Sequence, residues 1–435
     1  MERDIESTLR TLSSEIYGKV KRKTIQGRIP YAGVVFDEKE IENAVRSLYL
    51  AFESGWFAIG KNGKQFEDMF SQYLGVSDSV LTNSGSSANL IAVATLVHEG
   101  IWKKGDEILT PATTFPTTVN PLLLYGLKPV LVDIQLPTYT ISSRTFKESA
   151  TSKTKGIMLP HLNGSASYMP EIVELAENMG WAIIEDCCDA LGTKVEGKLV
   201  GTFGDLSTFS FYGAHHICMG EGGAVASTKQ ELVDVARSLR DWGRGIGKEV
   251  FDVVDGRKVI RVGKGTSLPE DYEMRFTYYT KGFNLKPIDI QAAIGLAQLE
   301  KLSKFVKARR RNFVYIRSAL ERYSPYLVLP EALKGVEPSW FVFPIVVKSG
   351  APFSRKEITD YLESHGIETR PILAGNILHQ PAYSADEFQV RGKLMNSDLV
   401  LSNGFFVGVY PGLSVHDLKK MTNTFHSFFK SMGIE

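Results

Sequence analysis

The order of apolar and polar residues along the chain predicts helices that alternate with short buried strands. Residues 37–50 carry apolar side chains at helical spacing behind Asp37, which predicts an amphipathic helix with an aspartate cap. Strand-like runs stand at 128–134, 155–160, 180–186 and 207–212, with helical segments among them. Continuous apolar strands that alternate with helices are typical of a parallel sheet covered on both faces. The pattern therefore predicts an α/β protein with a mostly parallel sheet.

The second half of the chain predicts a smaller C-terminal domain with α and β elements. A long helix at 302–323 leads into a strand-like run at 340–347, and further helices follow at 354–365 and from Ser414. Residues 245–275 are rich in Gly, Lys and Asp with weak periodicity, which predicts an insertion or loop. We therefore predict an N-terminal segment at 1–36, a large domain at 37–305 and a small domain at 306–435.

Composition and charge narrow the class of protein. The 435 residues are 43% hydrophobic and 23% charged, with a net charge of +1, which gives no basic surface for nucleic acid or an anionic membrane. The N-terminus lacks the apolar core of a signal peptide, and no apolar run is long enough to span a bilayer. The three cysteines give no disulfide framework, so a cytoplasmic location is expected.

Three positions after predicted strands carry groups suited to a ligand. The Asn-Ser-Gly-Ser-Ser run at 83–87 joins a strand to a helix N-terminus, where backbone N–H groups and hydroxyls bind phosphate well, although a plain serine cap is the alternative. Phe115 lies in a hydroxyl-rich loop and can stack on a flat ring or belong to the core. Asp186 ends an apolar strand, where ligand groups gather and where an aspartate can also cap a turn.

The most informative stretch is Ser-Thr-Phe-Ser-Phe-Tyr-Gly-Ala-His-His-Ile-Cys-Met-Gly-Glu-Gly-Gly at 207–223. A strand end followed by a glycine-rich loop is a usual position for ligand groups in α/β proteins. This stretch resembles the segment of the DegT/DnrJ/EryC1 sugar aminotransferases that carries the lysine bound to pyridoxal phosphate (PLP). His215 occupies the lysine's position, as in the 3-dehydratases that make 3,6-dideoxysugars. An imidazole cannot hold PLP covalently, but it is a good proton carrier near neutral pH.

The resemblance implies the fold-type I PLP-transferase fold, with His215 as the catalytic base. In this family the turn at Gly85 holds the PLP phosphate, an aromatic at Phe115 stacks on the ring, and an aspartate at Asp186 pairs with the pyridine nitrogen, which makes the ring an electron sink. The cofactor-binding residues implied in this way are Gly85, Ser86, Ser87, Phe115, Asp186, Asp189, Ser210 and Asn284.

Two further groups of residues follow from the same resemblance. Asn284 matches an asparagine that reaches the phosphate in the neighbouring subunit, which implies a homodimer. His216, Arg370 and Asn376 match the substrate segments of the dehydratase group, while a structural or solvated role is the alternative for each. Asp189 stands where relatives place a residue near the ring hydroxyl.

One departure from the pattern concerns iron–sulfur chemistry. The CDP-sugar 3-dehydrases, which this chain also resembles, hold a [2Fe-2S] cluster, and one cluster ligand matches Cys188. This chain has no cysteine after Cys218 and three in total, whereas a Cys₄ site needs four thiolates. We therefore expect no iron–sulfur cluster and no metal, with Cys187 and Cys188 as buried small residues. Proton chemistry remains, with glutamate as the donor that converts PLP to the pyridoxamine form (PMP); a reductase partner stays open.

The resulting hypothesis is dehydration at C3 of a nucleotide-linked 4-keto-6-deoxyhexose in deoxysugar and lipopolysaccharide O-antigen biosynthesis. His215 would remove a proton from the cofactor, and the C3 hydroxyl would leave as water. Two alternatives are an aminotransferase that uses another lysine and a non-catalytic regulator that binds PLP or a sugar nucleotide. The residues leave the nucleotide open among CDP, GDP and dTDP, and they leave open the configuration of the hexose.

Overall fold

In the computed structural model, the described residues are 2–20, 27–245, 267–269, 272 and 276–434. Their α-helices, numbered α1 to α13 in chain order, are Glu2–Val20, Glu38–Ser54, Lys61–Leu74, Gly85–His98, Pro116–Leu124, Ser143–Ser149, Met169–Met179, Gln230–Arg240, Asp289–Leu299, Leu302–Leu320, Arg355–Ser364, Met395–Asn403 and Val415–Ser431. Their strands, numbered β1 to β14, are Asp78–Thr82, Glu107–Pro111, Lys128–Val132, Thr154–Pro160, Ala182–Asp186, Lys194–Val195, Lys198–Leu199, Leu206–Ser210, Gly223–Ser227, Leu327–Val328, Val336–Glu337, Val342–Val347, Gln389–Val390 and Gly404–Gly408. Most of the predicted insertion at 245–275 lies outside the described residues.

An eight-stranded sheet in the order β1-β9-β8-β5-β4-β2-β3-β13 forms the centre of the fold. From β8 to β13 neighbouring strands are parallel, whereas β9 pairs antiparallel with both β8 and β1. Successive side chains of a strand point to opposite faces, and here both faces are covered. Ile157 and Ile183 belong to one hydrophobic core, while Met158 and Ile184 belong to another. The predicted mostly parallel sheet is confirmed.

The carboxyl ends of the parallel strands gather the chemically interesting residues at one edge of this sheet. Asp186 is the last residue of β5, and Ser210 is the last residue of β8. Phe115 follows β2 and is the N-cap of α5. In open α/β sheets ligands bind at this edge, so the strand order alone brings three of the predicted site residues together.

Buried ion pairs between side chains connect the outer strand β1 and helix α3 to helix α8. Arg237 on α8 donates to Asp78 at 2.9 Å, and Arg240 donates to Glu67 on α3 at 2.7 Å. Glu67 also accepts from Arg237 and from the backbone N–H of Leu81. Because all these side chains are buried, each charge depends on its partners for stability.

The C-terminal part of the chain has its own hydrophobic core, formed by α10, α11, α13 and the sheet β10-β12-β14. Trp340 stacks on Phe313 with ring centroids 3.8 Å apart, and β13 returns to pair with β3 of the large sheet. The domain boundaries at 36/37 and 305/306 stay predictions. Among the described helices, none combines the length and the apolar character needed to cross a bilayer. The cytoplasmic location stays a prediction.

Candidate functional site

The turn before α4 is the predicted anion site, and its phosphate-binding role stays a prediction. The Oγ of Ser84 accepts from the backbone N–H of Ser87 at 3.1 Å, so a serine N-cap is present. Gly85 packs against the end of β8: a Cβ at this position would lie 2.5 Å from Ser210 Cβ and 3.0 Å from Cys188 Sγ. The missing side chain therefore lets the Ser210 hydroxyl approach the N-terminus of α4, where backbone N–H groups and the helix dipole favour an anion.

Asp186 is held in one orientation by three hydrogen bonds. Its Oδ2 accepts from Asn89 Nδ2 at 2.9 Å and from Thr118 Oγ1 at 2.8 Å. Its Oδ1 accepts from the backbone N–H of Cys188 at 3.2 Å. Asn89 is fixed in turn because its Oδ1 accepts from Thr208 at 2.6 Å. Sequence reasoning missed Asn89 and Thr118, although an amide within the apolar helix α4 was a usable signal.

Phe115 is a large apolar side chain at this edge that the fold leaves 50% exposed. Thr113 and Thr114, which precede it, are fully buried, and Pro116 begins α5 directly after it. The alternative that Phe115 is a core residue is therefore wrong. An exposed aromatic face near Asp186 and Ser210 suits the stacking of a flat ring.

His215 lies in a tight turn, with its backbone N–H donating to Tyr212 O at 2.9 Å. Its Nε2 is 3.6 Å from Asp189 Oδ1, and the two side chains are 16% and 14% exposed. Burial, followed by the charge of Arg309, lowers the pKa of His215 to about 4. At neutral pH the imidazole is therefore uncharged and able to accept a proton.

The pKa of Asp189 is shifted in the opposite direction, upward. Burial, followed by the charge of Asp186, raises the pKa of Asp189 to about 7, against stabilising contributions from the backbone N–H of Asn163 and from Arg309. Near neutral pH this carboxyl group is thus divided between its protonated and ionised forms. The ionised form stabilises a proton on the facing imidazole, and the protonated form does not.

The neighbouring His216 has different surroundings. It is buried, and its Nε2 lies 2.9 Å from Ser339 Oγ, which itself lies 2.8 Å from Thr193 Oγ1. Burial, followed by the charge of Arg309, keeps the pKa of His216 well below its usual range. These contacts give His216 a structural part between the loop and the C-terminal segment, while its substrate role stays a prediction.

Three other predicted residues lie in different surroundings. Asn376 is fully buried, and its amide donates to Asp398 at 2.7 Å and accepts from the backbone N–H of Leu378. Arg370 pairs with Glu368 and lies over the ring of Tyr31. Asn284 is exposed. Within the described part of the chain, none of the three has a hydrogen bond or ion pair with His215 or Asp186, and their binding roles stay predictions.

Three buried side chains of metal-ligating type lie close together behind the site. Ligand atoms of His161, Glu185 and Cys187 lie within 4.8 Å of one another. Glu185 already accepts from His161 at 3.0 Å and from three backbone N–H groups, those of Gly201, Phe203 and Gly204. These bonds engage both carboxylate oxygens, so Glu185 has a structural role that fixes the 201–204 turn.

Comparisons with known proteins agree with this geometry. The profile of the DegT/DnrJ/EryC1/StrS aminotransferase family matches residues 37–426. The lipopolysaccharide biosynthesis protein RfbH of Salmonella typhimurium is 41% identical over 406 residues, which cover 92% of each chain. The dTDP-4-dehydro-2,6-dideoxy-D-glucose 3-dehydratase of Saccharopolyspora spinosa is 42% identical over 387 residues, 88% of this chain and 82% of that protein.

A solved structure extends the comparison to three dimensions. The crystal structure of GDP-4-keto-6-deoxymannose-3-dehydratase with a trapped PLP-glutamate geminal diamine matches with a TM-score of 0.81 at 30% identity. The match covers 91% of this chain and 99% of that one. With a family profile that spans nearly the whole chain and relatives above 40% identity, the protein belongs to the DegT/DnrJ/EryC1/StrS aminotransferase family.

Proposed function

We propose that the protein is a PLP/PMP-dependent 3-dehydratase that removes the C3 hydroxyl from a nucleotide-linked 4-keto-6-deoxyhexose. This reaction belongs to deoxysugar and lipopolysaccharide biosynthesis, in keeping with the names of the similar proteins. The observation that carries the proposal is His215, an uncharged imidazole facing Asp189 at the position where the family's aminotransferases have a lysine. Such a group moves protons but forms no covalent link to PLP.

The residues at the sheet edge fit PLP. The N-terminus of α4 with the Ser210 hydroxyl suits a phosphate, the buried Asp186 suits a protonated ring nitrogen, and the exposed Phe115 ring suits stacking. When bound, the cofactor supplies an electron sink for the reacting sugar. Its phosphate and ring would be held by three separate elements, so it would not need a covalent anchor.

The proton chemistry is assigned to His215. Because the pKa of His215 lies near 4, its imidazole is uncharged at neutral pH, and one of its two ring nitrogens is free to accept a proton. Ionised Asp189, at 3.6 Å, stabilises the imidazolium that results. The imidazolium then donates this proton to the departing C3 hydroxyl, which leaves as water. The low pKa favours this return of the proton, so one residue serves as base and acid.

Glutamate is the proposed amino donor that restores the amino form of the cofactor. The trapped PLP-glutamate adduct in the similar 3-dehydratase supports this assignment. Consumption of glutamate to 2-oxoglutarate, measured with and without sugar nucleotide, tests it.

A homodimer is the proposed assembly. Phe52, Trp56 and Phe57 at the end of α2 are large, exposed apolar residues, and Phe52 packs on Phe57 at 5.0 Å. The adjoining Ala58 pairs with exposed Ile288, four residues from Asn284. A contiguous apolar surface of this kind marks a protein contact, and a second copy would cover it. Light scattering of Trp56→Glu tests this: a wild-type dimer that becomes a monomer supports the proposal, and a monomeric wild type refutes it.

The deciding experiment for the reaction is an incubation with PLP, glutamate and each of the CDP-, GDP- and dTDP-linked 4-keto-6-deoxyhexoses. A sugar nucleotide lighter by one oxygen atom supports the dehydratase if the wild type forms it and His215→Asn does not. The C3 hydroxyl leaves as water, and hydrogen takes its place at C3 because oxidation of glutamate to 2-oxoglutarate supplies the electrons. An amino sugar, together with a borohydride-stable PLP adduct on a lysine, would establish the aminotransferase alternative. PLP binding without turnover of any sugar would favour the regulator.

A further inference from the structure

Arg309 on α10 is a fully buried arginine that reaches the loop of His215. Its guanidinium donates to the backbone carbonyl of His215 at 3.1 Å and to that of Phe341 at 2.9 Å. A longer contact of 3.4 Å goes to the carbonyl of Trp340. One rigid side chain thus joins the base-carrying loop of the large sheet to the segment that enters β12.

The segment that Arg309 holds also packs directly on the imidazole. The ring of Phe341 meets the ring of His215 edge-on at 5.2 Å. The backbone of the same segment approaches Gly164 so closely that a Cβ there would lie 2.3 Å from Phe341 N. Next to Gly164, the backbone N–H of Asn163 faces Asp189. Arg309 and the 163–164 backbone therefore both contact Phe341, and together the three surround the pair of His215 and Asp189.

Several charged and titratable groups face His215 from the elements around it. Asp186 ends β5 and Asp189 follows it. Arg309 comes from α10, and His216 and Tyr212 belong to the same loop as His215. Arg309 is the cation of this set, and its positive charge disfavours a second positive charge on the imidazole. Burial lowers the pKa of Arg309 to about 9, so the guanidinium stays charged at neutral pH.

We propose that Arg309 is a positioning residue for the dehydration: its guanidinium fixes the backbone of His215 to the 340–341 segment and thereby holds Nε2 toward Asp189. The inference rests on the proposed function for its catalytic consequence. The positive charge of Arg309 has a second effect: it keeps the imidazole of His215 neutral between turnovers. A mislocation of a catalytic group by about 1 Å costs on the order of 100-fold in rate.

Arg310 provides a matched control. It is the next residue of α10, and its guanidinium also binds backbone carbonyls of the same segment, Pro338 at 2.8 Å and Glu337 at 2.9 Å. The Arg310 side chain is 34% exposed, and it also forms an ion pair with Glu337. A lysine at position 309 or 310 retains the charge but loses the planar fork that binds two carbonyls.

The first test compares Arg309→Lys with Arg310→Lys by hydrogen–deuterium exchange and by steady-state kinetics. For Arg309→Lys we expect faster exchange confined to 211–219 and a kcat lower by roughly 100-fold with KM changed by less than about threefold. Arg310→Lys should match the wild type in both measurements. Equal kcat for the two variants, or faster exchange throughout the chain in Arg309→Lys, would overturn the inference.

The second test uses Arg309→Met, which also removes the charge. The acid limb of its kcat/KM profile should move to higher pH by about one unit, because a nearby cation no longer opposes protonation of His215. An unchanged limb would overturn the electrostatic part. A wild type that does not dehydrate any sugar nucleotide would refute the proposed function, whereas the local exchange at 211–219 still decides whether Arg309 positions the loop.

Discussion

Gly85 is the position where the smallest possible change should weaken the cofactor site. In Gly85→Ala the new Cβ would lie 2.5 Å from Ser210 Cβ, against a normal carbon–carbon separation of about 3.5–4.0 Å. The start of α4 and the end of β8 must therefore separate by roughly 1 Å. Overpacking of this size costs about 1–3 kcal/mol, offset by about 1 kcal/mol from the better helix propensity of alanine. Global stability should thus fall little.

Cofactor binding should suffer more than stability. A hydrogen bond to a charged group contributes about 1.5–3 kcal/mol, so a helix terminus displaced from the phosphate should weaken PLP binding about 10- to 100-fold. Fluorescence titration with PLP measures this, and thermal unfolding of the apoprotein measures stability. Gly350→Ala is the control, since its Cβ would meet nothing within 4 Å. In a Ser210→Gly background, which lacks the nearest side-chain carbon, Gly85→Ala should lower the melting temperature of the apoprotein less than it does in the wild type. PLP affinity of the single variant within about twofold of the wild type would refute the assigned phosphate site.

Three further changes test other parts of the structure. His215→Lys should acquire a borohydride-reducible PLP adduct at position 215, seen by mass spectrometry; failure to form one in PLP-saturated protein would contradict the assigned geometry. Asp189→Asn should raise the melting temperature of the apoprotein more at pH 8 than at pH 5, because a carboxyl with pKa raised to about 7 costs stability that accumulates from its unfolded value of about 3.9 up to 7. An equal difference at both pH values would argue against the shift. Glu67→Gln should lower the free energy of unfolding by about 3–5 kcal/mol, because it leaves Arg240 buried without its carboxylate partner, whereas the exposed control Glu231→Gln should be near neutral in a denaturant titration.

Local features of this protein could be predicted from its sequence because they depend on neighbouring residues. Asp37 caps α2, whose apolar spacing was visible, and Ser84 caps α4 as the Asn-Ser-Gly-Ser-Ser run indicated. The apolar runs became β3, β4 and β5 within a few residues of their predicted bounds. The histidine at 215 and the shortage of cysteines likewise need no coordinates, and together with the family resemblance they already favoured proton chemistry on PLP.

Tertiary structure decided how the site is supported. Arg309 stands in a helix rich in Lys and Arg, residue types that are mostly exposed in proteins, yet it is buried and bonded to a residue 94 positions away. The bonds from Asn89 and Thr118 to Asp186 span 97 and 68 positions, and the pKa shifts of His215 and Asp189 arise from burial that no local pattern reports. Periodicity and motifs specify which residues enter an element and which chemistry they carry. Distances between elements, and with them desolvation and charge pairing, exist only once the sheet and its helices have packed.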